Sequence, residues 1–453
     1  MQPNIKKAVL TEGPVGKTLV SLTIPMMFGI LSMVAFNLVD TIFVGRLGAV
    51  QLAALSYTFP VVLVIASIAM GLGIGASAVI SVAIGEGNDQ KVRRLTTDSL
   101  ILSLLIVTVF AVTGLLTIDT VFTALGAPPH ILPLIRQYMR IWYFGVICVV
   151  VPMVGNNAIR ASGDTKTPAI IMTIAAGINI IFDPLLIFGI GPFPRLEIAG
   201  AATATVFART TTLIVSLYVL YRRKQMITLE IPRLREVLQS WKRILYIGIP
   251  AASTRIIIPL ASGVITRLLS SYGPKTVAGY GVASRIEFFL LTVILALAAV
   301  LAPFVGQNWG AGKHDRVRDA LKFSKHFSLV YGVVLIGVLA IIARPLATVF
   351  NKDDTVVTTI TSYLRIVPLG YSLQGILVLC AAAMNVLNRP LHAAALSVAQ
   401  MFVIYIPLAL LGSTLFGVRG VYGALTLAYV IAGVAAHLVM RRILTASEKT
   451  SLG

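Results

Sequence analysis

The stretch that decides the fold is KTLVSLTIPMMFGILSMVAFNLVDTIFVGRLG, at residues 17–48. It is longer than the roughly twenty apolar residues that a membrane-spanning helix needs, yet it holds one carboxylate, Asp40, near its far end. A carboxylate in hydrocarbon is costly and by default indicates a functional site. Asn37 lies one turn before Asp40 and can share its face. Pro25 lies about four turns earlier and weakens the helix there, because proline has no backbone donor.

The composition is that of an integral membrane protein. The chain has 453 residues, of which 57% are hydrophobic and only 12% are charged, whereas soluble domains have about 25% charged residues. The apolar runs have the length of helices, which excludes a β-barrel. The N-terminus is polar and no cleavage site follows a short apolar core, so we expect the first span to be retained.

The formal charge of +20 would suggest a nucleic-acid partner in a soluble protein, but its distribution indicates topology instead. Basic residues cluster in alternate loops, at 91–94, 222–243, 313–325 and 441–442. Such clusters mark the cytoplasmic side of a membrane protein. The sequence therefore predicts a multi-pass protein of the cytoplasmic (inner) membrane with both termini in the cytoplasm and no nucleic-acid partner.

Hydrophobic windows predict twelve spans. They are 17–45, 52–84, 95–117, 132–160, 167–190, 198–221, 243–271, 277–309, 324–343, 356–387, 391–412 and 418–441. Between the sixth and the seventh we expect a cytoplasmic linker with a short amphipathic helix near 232–241.

The two halves of the chain repeat each other at one offset of 225 residues. IPMM at 24–27 corresponds to IPAA at 249–252, IGEGNDQKVRR at 84–94 to WGAGKHDRVRD at 309–319, and QYMRI at 137–141 to SYLRI at 362–366. Because each half has an even number of spans, the repeats are parallel, and such transporters bind substrate between their halves. We predict an all-α membrane protein of twelve transmembrane helices in two six-helix lobes related by pseudo-twofold symmetry. The predicted domains are an N-lobe (1–221), a linker (222–242) and a C-lobe (243–453).

Polar groups inside the first six spans recur at helical spacing. Beside Asp40 they are Tyr138, Asn156, Asn157, Asn179, Asp183, Thr203, Thr205 and Arg209. Asn179 and Asp183 are four residues apart and share a face. Two nearby buried carboxylates favour binding of a proton or another cation. Alternatively, each acid pairs with an arginine or caps a helix, the asparagines join helices, and Tyr138 is an interfacial anchor.

The second half lacks this pattern. Residues 265 and 408, at the offset positions of the two acids, are Ile265 and Leu408. Glu287 is the one predicted intramembrane acid there, among several arginines that include Arg255, and we interpret it as a structural salt-bridge partner rather than a coupling site. We keep Glu287 and Arg255 as possible cavity residues.

Several motifs that resemble cofactor or metal sites fail on inspection. GPVGKT at 13–18 is two residues too short for a phosphate loop, and the glycines of GLGIGAS at 71–77 lie within a span, where they permit close helix packing. The five histidines have no zinc spacing. Cys148 and Cys380 both lie in apolar spans and suggest neither a disulfide nor a metal site. We therefore expect no cofactor, no bound metal and no enzymatic activity.

The sequence resembles the multidrug and toxic compound extrusion (MATE) family over essentially its whole length. The resemblance rests on the six-plus-six repeat, the NLVDTIFVGRLG segment, the IGEGN and WGAG loop pair, and the NNAIRASGDTKTP loop. An acid near the outer end of the first helix and an N-x-x-x-D in the fifth are similar to the DinF-like branch. The resemblance implies two lobes forming a V around a central cavity, with efflux driven by proton or sodium entry.

The DinF-like pattern also implies a set of site residues. The positions that match its N-lobe cation site are Asp40, Tyr138, Asn156, Asn179, Asp183 and Thr205. Pro25 matches the proline at which the first helix bends when the acid is protonated. A slip of one residue would exchange Asn156 for Asn157. Asn37, Asn157 and Arg209 remain possible residues of the substrate cavity.

These residues lead to a functional hypothesis. We expect a monomeric antiporter that exports amphipathic, often cationic, drugs by alternating access, coupled to H⁺, with Na⁺ as the other candidate ion. A lipid-linked saccharide flippase is the alternative, because Arg209, Arg255 and Arg285 could face a pyrophosphate. A channel-like or receptor protein without coupled transport is the third.

Overall fold

Helices account for the regular secondary structure of the described chain. The computed structural model describes residues 8–230 and 232–451, with side chains up to residue 446. Long apolar runs become helices because a helix satisfies all of its backbone hydrogen-bonding groups internally, as a bilayer requires.

The first half forms seven helices. They are α1 (Val15–Leu47), α2 (Ala49–Gly85), α3 (Asp89–Ala124), α4 (Leu132–Gly145), α5 (Ile147–Ala161), α6 (Lys166–Phe188) and α7 (Glu197–Tyr218). A π-helical turn, Val219–Arg223, continues α7. The predicted span 132–160 is broken, because α4 and α5 meet at an angle of 43°.

The second half begins with three helices of 37 residues each. The helices of this half are α8 (Leu234–Ser270), α9 (Pro274–Gly310), α10 (His314–Phe350), α11 (Asp354–Ile366), α12 (Tyr371–Val386), α13 (Pro390–Val398) and α14 (Ile406–Ser451). A 3-10 turn, Val367–Gly370, joins α11 to α12, and a π-helical segment, Ala399–Tyr405, joins α13 to α14. The segment that we predicted as a short amphipathic helix near 232–241 is helical from Leu234 onward, but it is the beginning of α8, which runs without interruption into the seventh span.

The described chain contains twelve membrane spans, as the sequence predicts. Ten helical stretches are long and apolar enough to cross a bilayer, and the bent α4–α5 pair makes an eleventh. One of the ten, Pro390–Ala446, has 57 residues and would be about 85 Å long as one rod, far more than a bilayer. It breaks at Gly417, whose φ of 60° and ψ of −142° are not helical, so it forms two spans.

Packing divides the chain into two compact units. The first contains Ser21–Ala252 with two short pieces, 8–12 and Gly306–Ala311; the second contains Gly13–Val20, Ser253–Val305 and the chain from Gly312 onward. Small residues allow close approach within the first unit. A Cβ on Gly71 would clash with the backbone of Gly248 and Ala252, which is the packing role predicted for the 71–77 glycines.

The contact of α1 with α6 also depends on a glycine. A Cβ on Gly29 would lie 3.0 Å from the Cα of Ala169. Three residues further along, the hydroxyls of Ser32 and Thr173 lie 3.0 Å apart. One glycine contact and one neutral hydrogen bond therefore join the middle of α1 to α6.

Candidate functional site

The structure gathers the predicted polar residues within the first unit. Asp40 is on α1, Tyr138 on α4, Asn156 on α5, Asn179 and Asp183 on α6, and Thr205 on α7. Asn179 and Asp183 are completely buried, at 0% exposure, and Tyr138, Asn156 and Thr205 are also buried. Asp40 is half-buried. Five helices of the first unit thus contribute these polar residues, from positions up to 165 apart in the sequence.

Asn179 is the centre of the hydrogen bonding in this cluster. Its Nδ2 donates to Oδ1 of Asp183 at 3.1 Å, one helical turn further along α6. The same nitrogen lies 3.5 Å from Oγ1 of Thr205 on α7, at the limit of a hydrogen bond. The carboxylates of Asp40 and Asp183 interact electrostatically, and Tyr138 interacts with both.

Four oxygen atoms of the cluster lack a hydrogen-bond donor among the described residues. They are Oδ1 of Asp40, Oδ1 of Asn156, Oδ1 of Asn179 and Oδ2 of Asp183. A buried oxygen without a donor is energetically costly. A proton on a carboxylate, or a hard cation such as Na⁺ among the oxygens, would satisfy them. The described residues contain no group of three or more histidine, cysteine or acidic side chains placed to hold a metal ion.

The structure distinguishes Asn156 from its neighbour Asn157. The Nδ2 of Asn157 donates to the carbonyl of Met153 at 2.7 Å, and its Oδ1 accepts from Arg160 at 2.6 Å. A Cβ on Gly73 would collide with the same amide. Asn157 is thus engaged in packing, whereas the oxygen of Asn156 has no partner among the described residues, which favours Asn156 as the site residue.

Asn37 does not join the cluster. Its Nδ2 donates to the carbonyl of Met33 within α1 at 3.0 Å, and the side chain is exposed. Thr41 likewise bonds the carbonyl of Asn37. The polar side chains next to Asp40 therefore bond to backbone carbonyls of α1. Of this predicted polar face, Asp40 alone belongs to the cluster. Pro25 lies inside the continuous helix α1.

Arg209 lies one turn beyond Thr205 on α7 and is buried, at 8% exposure. Its Nη2 donates to the sulfur of Met33 at 3.4 Å, and its guanidinium lies 4.9 Å from the ring centre of Phe36. Its Nε has no partner among the described residues. Met33 and Phe36 both belong to α1, so the guanidinium of Arg209 packs against the part of α1 just before Asp40.

In the second unit, Glu287 is bound by tyrosines. It is buried on α9 and accepts hydrogen bonds from the hydroxyls of Tyr363 and of Tyr429, the latter at 2.7 Å. The predicted salt bridge to an arginine is wrong, since Glu287 forms no ion pair with a described basic residue, and Arg255 is exposed. Tertiary packing thus supplies hydroxyl donors to this carboxylate instead of arginines.

Six buried tyrosines surround this region, a feature that the sequence analysis missed. They belong to one apolar core and are Tyr280, Tyr363, Tyr371, Tyr405, Tyr422 and Tyr429. The hydroxyls of Tyr371, Tyr405 and Tyr422 are buried without a partner in the described structure. Their spacing in sequence gives no periodic signal, because they come from five different elements.

Twelve spans, an internal repeat and a buried acid cluster within one unit define a membrane transporter. The profile of the MatE family matches residues 25–185 and again 250–411. The second match begins 225 residues after the first, which confirms the repeat and its offset. The chain therefore belongs to the MATE family of transporters.

Curated relatives and solved structures agree with this assignment. The chain is 40% identical over 437 residues, 96% of each chain, to the "FAD transporter" of Shewanella oneidensis. It is 25% identical over 430 residues to the "Multidrug export protein MepA" of Staphylococcus aureus, covering 95% of this chain and 94% of that protein. The bent-form crystal structure of the MATE transporter VcmN from Vibrio cholerae aligns with a TM-score of 0.91 at 30% identity, covering 95% of this chain and 97% of that one. The predicted two-lobe MATE fold is confirmed.

Proposed function

We propose that this chain is a proton-coupled exporter of the cytoplasmic membrane, with both termini in the cytoplasm, and that it belongs to the DinF-like branch. The observation on which the proposal depends is a set of four oxygens that accept no hydrogen bond from the described residues, on Asp40, Asn156, Asn179 and Asp183. Two carboxylates in one buried cluster repel each other, and a bound proton relieves that repulsion. Asp40 and Asp183 are the coupling acids, and Na⁺ is the alternative ion.

The coupling step involves α1. Protonation of Asp40 removes a charge from the cluster and with it the attraction of the carboxylate for polar groups. Pro25 lies fifteen residues earlier in the same helix, where the backbone lacks one hydrogen bond. A change at Asp40 can therefore bend α1 at Pro25 and alter the access to the lobe, as alternating access requires. The transporter works as a monomer in this scheme.

Two substrate classes follow from the relatives. The relative at 40% identity is named for FAD, whereas relatives named for multidrug resistance or multidrug export share only 25–26%. Buried Arg209 has no carboxylate partner among the described residues, which favours a substrate with a negative group. We therefore propose a flavin dinucleotide as the first substrate and amphipathic organic cations as the second. Because these relatives are named for transport of FAD or for multidrug resistance and export, we do not propose the flippase.

Reconstitution in proteoliposomes tests the coupling. Wild type and Asp40→Asn are compared with a pH gradient or a sodium gradient imposed separately, and transport of FAD and of a fluorescent organic cation is followed. We expect a pH gradient to drive transport in the wild type and Asp40→Asn to lose the gradient-driven component. Asp119→Asn is the matched control, because Asp119 is exposed and paired with Arg136 outside the cluster. Near-normal gradient-driven transport by Asp40→Asn would remove Asp40 from the coupling role.

A further inference from the structure

We propose that Arg209 is the residue that recognises the anionic group of the exported substrate. This inference rests on the proposed function, in that the first-unit cluster is the transport site. Arg209 follows Thr205 by four residues on α7, so both side chains share one face about 6 Å apart along the helix axis. The guanidinium itself contacts Met33 and Phe36 of α1 and forms no hydrogen bond with a described residue of the cation cluster.

The surroundings of Arg209 do not compensate its charge. A buried guanidinium normally has an anionic or amide partner, because desolvation of an unpaired charge is costly. In the same unit Arg94 forms an ion pair with Asp98, and Arg160 donates to the amide oxygen of Asn157. Arg209 instead contacts a thioether sulfur and the face of a phenyl ring, and its Nε is unsatisfied among the described residues.

These partners are of the kind that an anion can replace. A thioether is a weak acceptor, and a cation–π contact contributes only about 0.5–2 kcal/mol. The planar guanidinium presents paired N–H donors that match a phosphate. The feature therefore fits a phosphate-bearing substrate such as a flavin nucleotide.

Both residues that cover Arg209 belong to α1. Met33 and Phe36 lie seven and four residues before Asp40, on the helix that we propose to bend. A substrate phosphate and α1 therefore compete for one guanidinium. Movement of α1 uncovers Arg209, and its return displaces the anion, which links recognition of the substrate to the coupling helix.

Three flavins provide the test, because they share the isoalloxazine ring and differ in phosphate. FAD has a pyrophosphate, FMN a single phosphate and riboflavin none. Binding of each is measured by flavin fluorescence on purified protein at one pH and ionic strength, for wild type, Arg209→Met and Arg209→Lys. We expect Arg209→Met to weaken FAD and FMN binding by about 10- to 100-fold, the value of one charged hydrogen-bonding pair. Riboflavin binding should change by less than about threefold, since it makes no such pair.

The Arg209→Lys variant distinguishes the contribution of the positive charge from that of the planar, two-pronged donor of arginine. It keeps the charge but not the two-pronged donor, so FAD binding should lie between that of wild type and Arg209→Met. Arg160→Met is the matched control, because Arg160 already has the amide of Asn157 as its partner, and it should leave the preference for FAD over riboflavin unchanged. Thermal unfolding of each variant shows whether the fold is retained.

Three outcomes would overturn the inference. Equal losses for FAD and riboflavin in folded Arg209→Met would show that Arg209 only positions α1. Unchanged FAD binding would show that Arg209 does not contact the substrate. Absence of flavin binding in the wild type would reject a flavin phosphate as the partner, while loss of gradient-driven cation export in Asp40→Asn would still support the proposed coupling.

Discussion

The contact between α1 and α6 provides the sharpest test of a bending first helix. Ser32 and Thr173 form the hydroxyl pair of this contact, 3.0 Å apart. Ser32 lies seven residues after Pro25 and eight before Asp40, about 10 and 12 Å along the helix axis. If α1 bends at Pro25 during transport, this hydroxyl pair must separate in every cycle.

The strength of the Ser32–Thr173 hydrogen bond determines how much its loss can change the bending equilibrium of α1. A neutral hydrogen bond contributes about 0.5–1.5 kcal/mol net, so Ser32→Ala should change the bending equilibrium by no more than about tenfold. A covalent bond at the same place is a far larger perturbation. Disulfides span about 3.5–4.5 Å between Cβ atoms, and hydroxyls 3.0 Å apart bring the two Cβ atoms close to that range. Ser32→Cys combined with Thr173→Cys should therefore form a disulfide that holds α1 on α6.

The assay compares oxidised and reduced protein in proteoliposomes, with Cys148 and Cys380 first replaced by alanine. We expect gradient-driven export to fall in proportion to the crosslinked fraction and to return after addition of a reductant. Each single cysteine variant should respond to neither treatment. Full export by completely crosslinked protein would refute the bending of α1 between Pro25 and Asp40.

Three further predictions concern individual side chains. Asn156→Ala should reduce gradient-driven export with little loss of stability, whereas Asn157→Ala should lower stability by about 1–3 kcal/mol because it removes a buried, fully used amide; thermal unfolding and transport of both variants check this. Burial opposes ionisation of Asp164, but hydrogen bonds from Lys224 and Thr167 hold its pKa below the ordinary value. Its ionised form therefore stabilises the fold at neutral pH, and the difference in melting temperature between wild type and Asp164→Asn should shrink as the pH falls below about 4. Glu287→Gln should retain gradient-driven export if coupling resides in the first unit, and loss of export without loss of folding would move the coupling site.

Much of the fold was predictable because its signals are local. Each span is a long apolar run, and the repeat appears as matched segments at one offset. The breaks within the spans were harder to predict from the sequence. The bend at Val146, between α4 and α5, contains no proline, and Gly417 has the same sequence signal as a packing glycine. Both breaks depend on how neighbouring helices pack, which no window of sequence contains.

The candidate site shows the same limit. Helical spacing placed Asn179 and Asp183 on one face, and the structure keeps them together. Spacing could not separate Asn156 from Asn157. The two are adjacent and point about 100° apart around the helix, and the sequence does not show which of the two directions faces the other site residues. The arginines near Glu287 were visible in sequence, but the tyrosines that bind it come from distant elements. Tertiary packing therefore decides which side chains bind Glu287.

The repeat itself suggests the last prediction. Tyr138 and Tyr363 occupy equivalent positions, 225 residues apart, and each lies beside an acid of its own half. The acids are not equivalent, since the position that matches Asp40 is Ile265, which is part of an apolar core. The two halves thus have a tyrosine at the same position of the repeat, but their acids lie on helices that do not correspond.

Replacing each tyrosine by phenylalanine should therefore affect different properties, stability in one variant and transport in the other. Tyr363→Phe removes a hydrogen bond to a buried carboxylate, which costs about 1.5–3 kcal/mol, so it should lower the unfolding temperature. Tyr138→Phe removes no bond to either acid that the structure shows, and should instead alter the pH dependence of gradient-driven export, because Tyr138 interacts with both Asp40 and Asp183. Parallel unfolding and transport measurements on the two variants decide the matter. If both variants changed stability and transport alike, the two halves would share one role for this tyrosine, and the assignment of coupling to the first unit alone would be wrong.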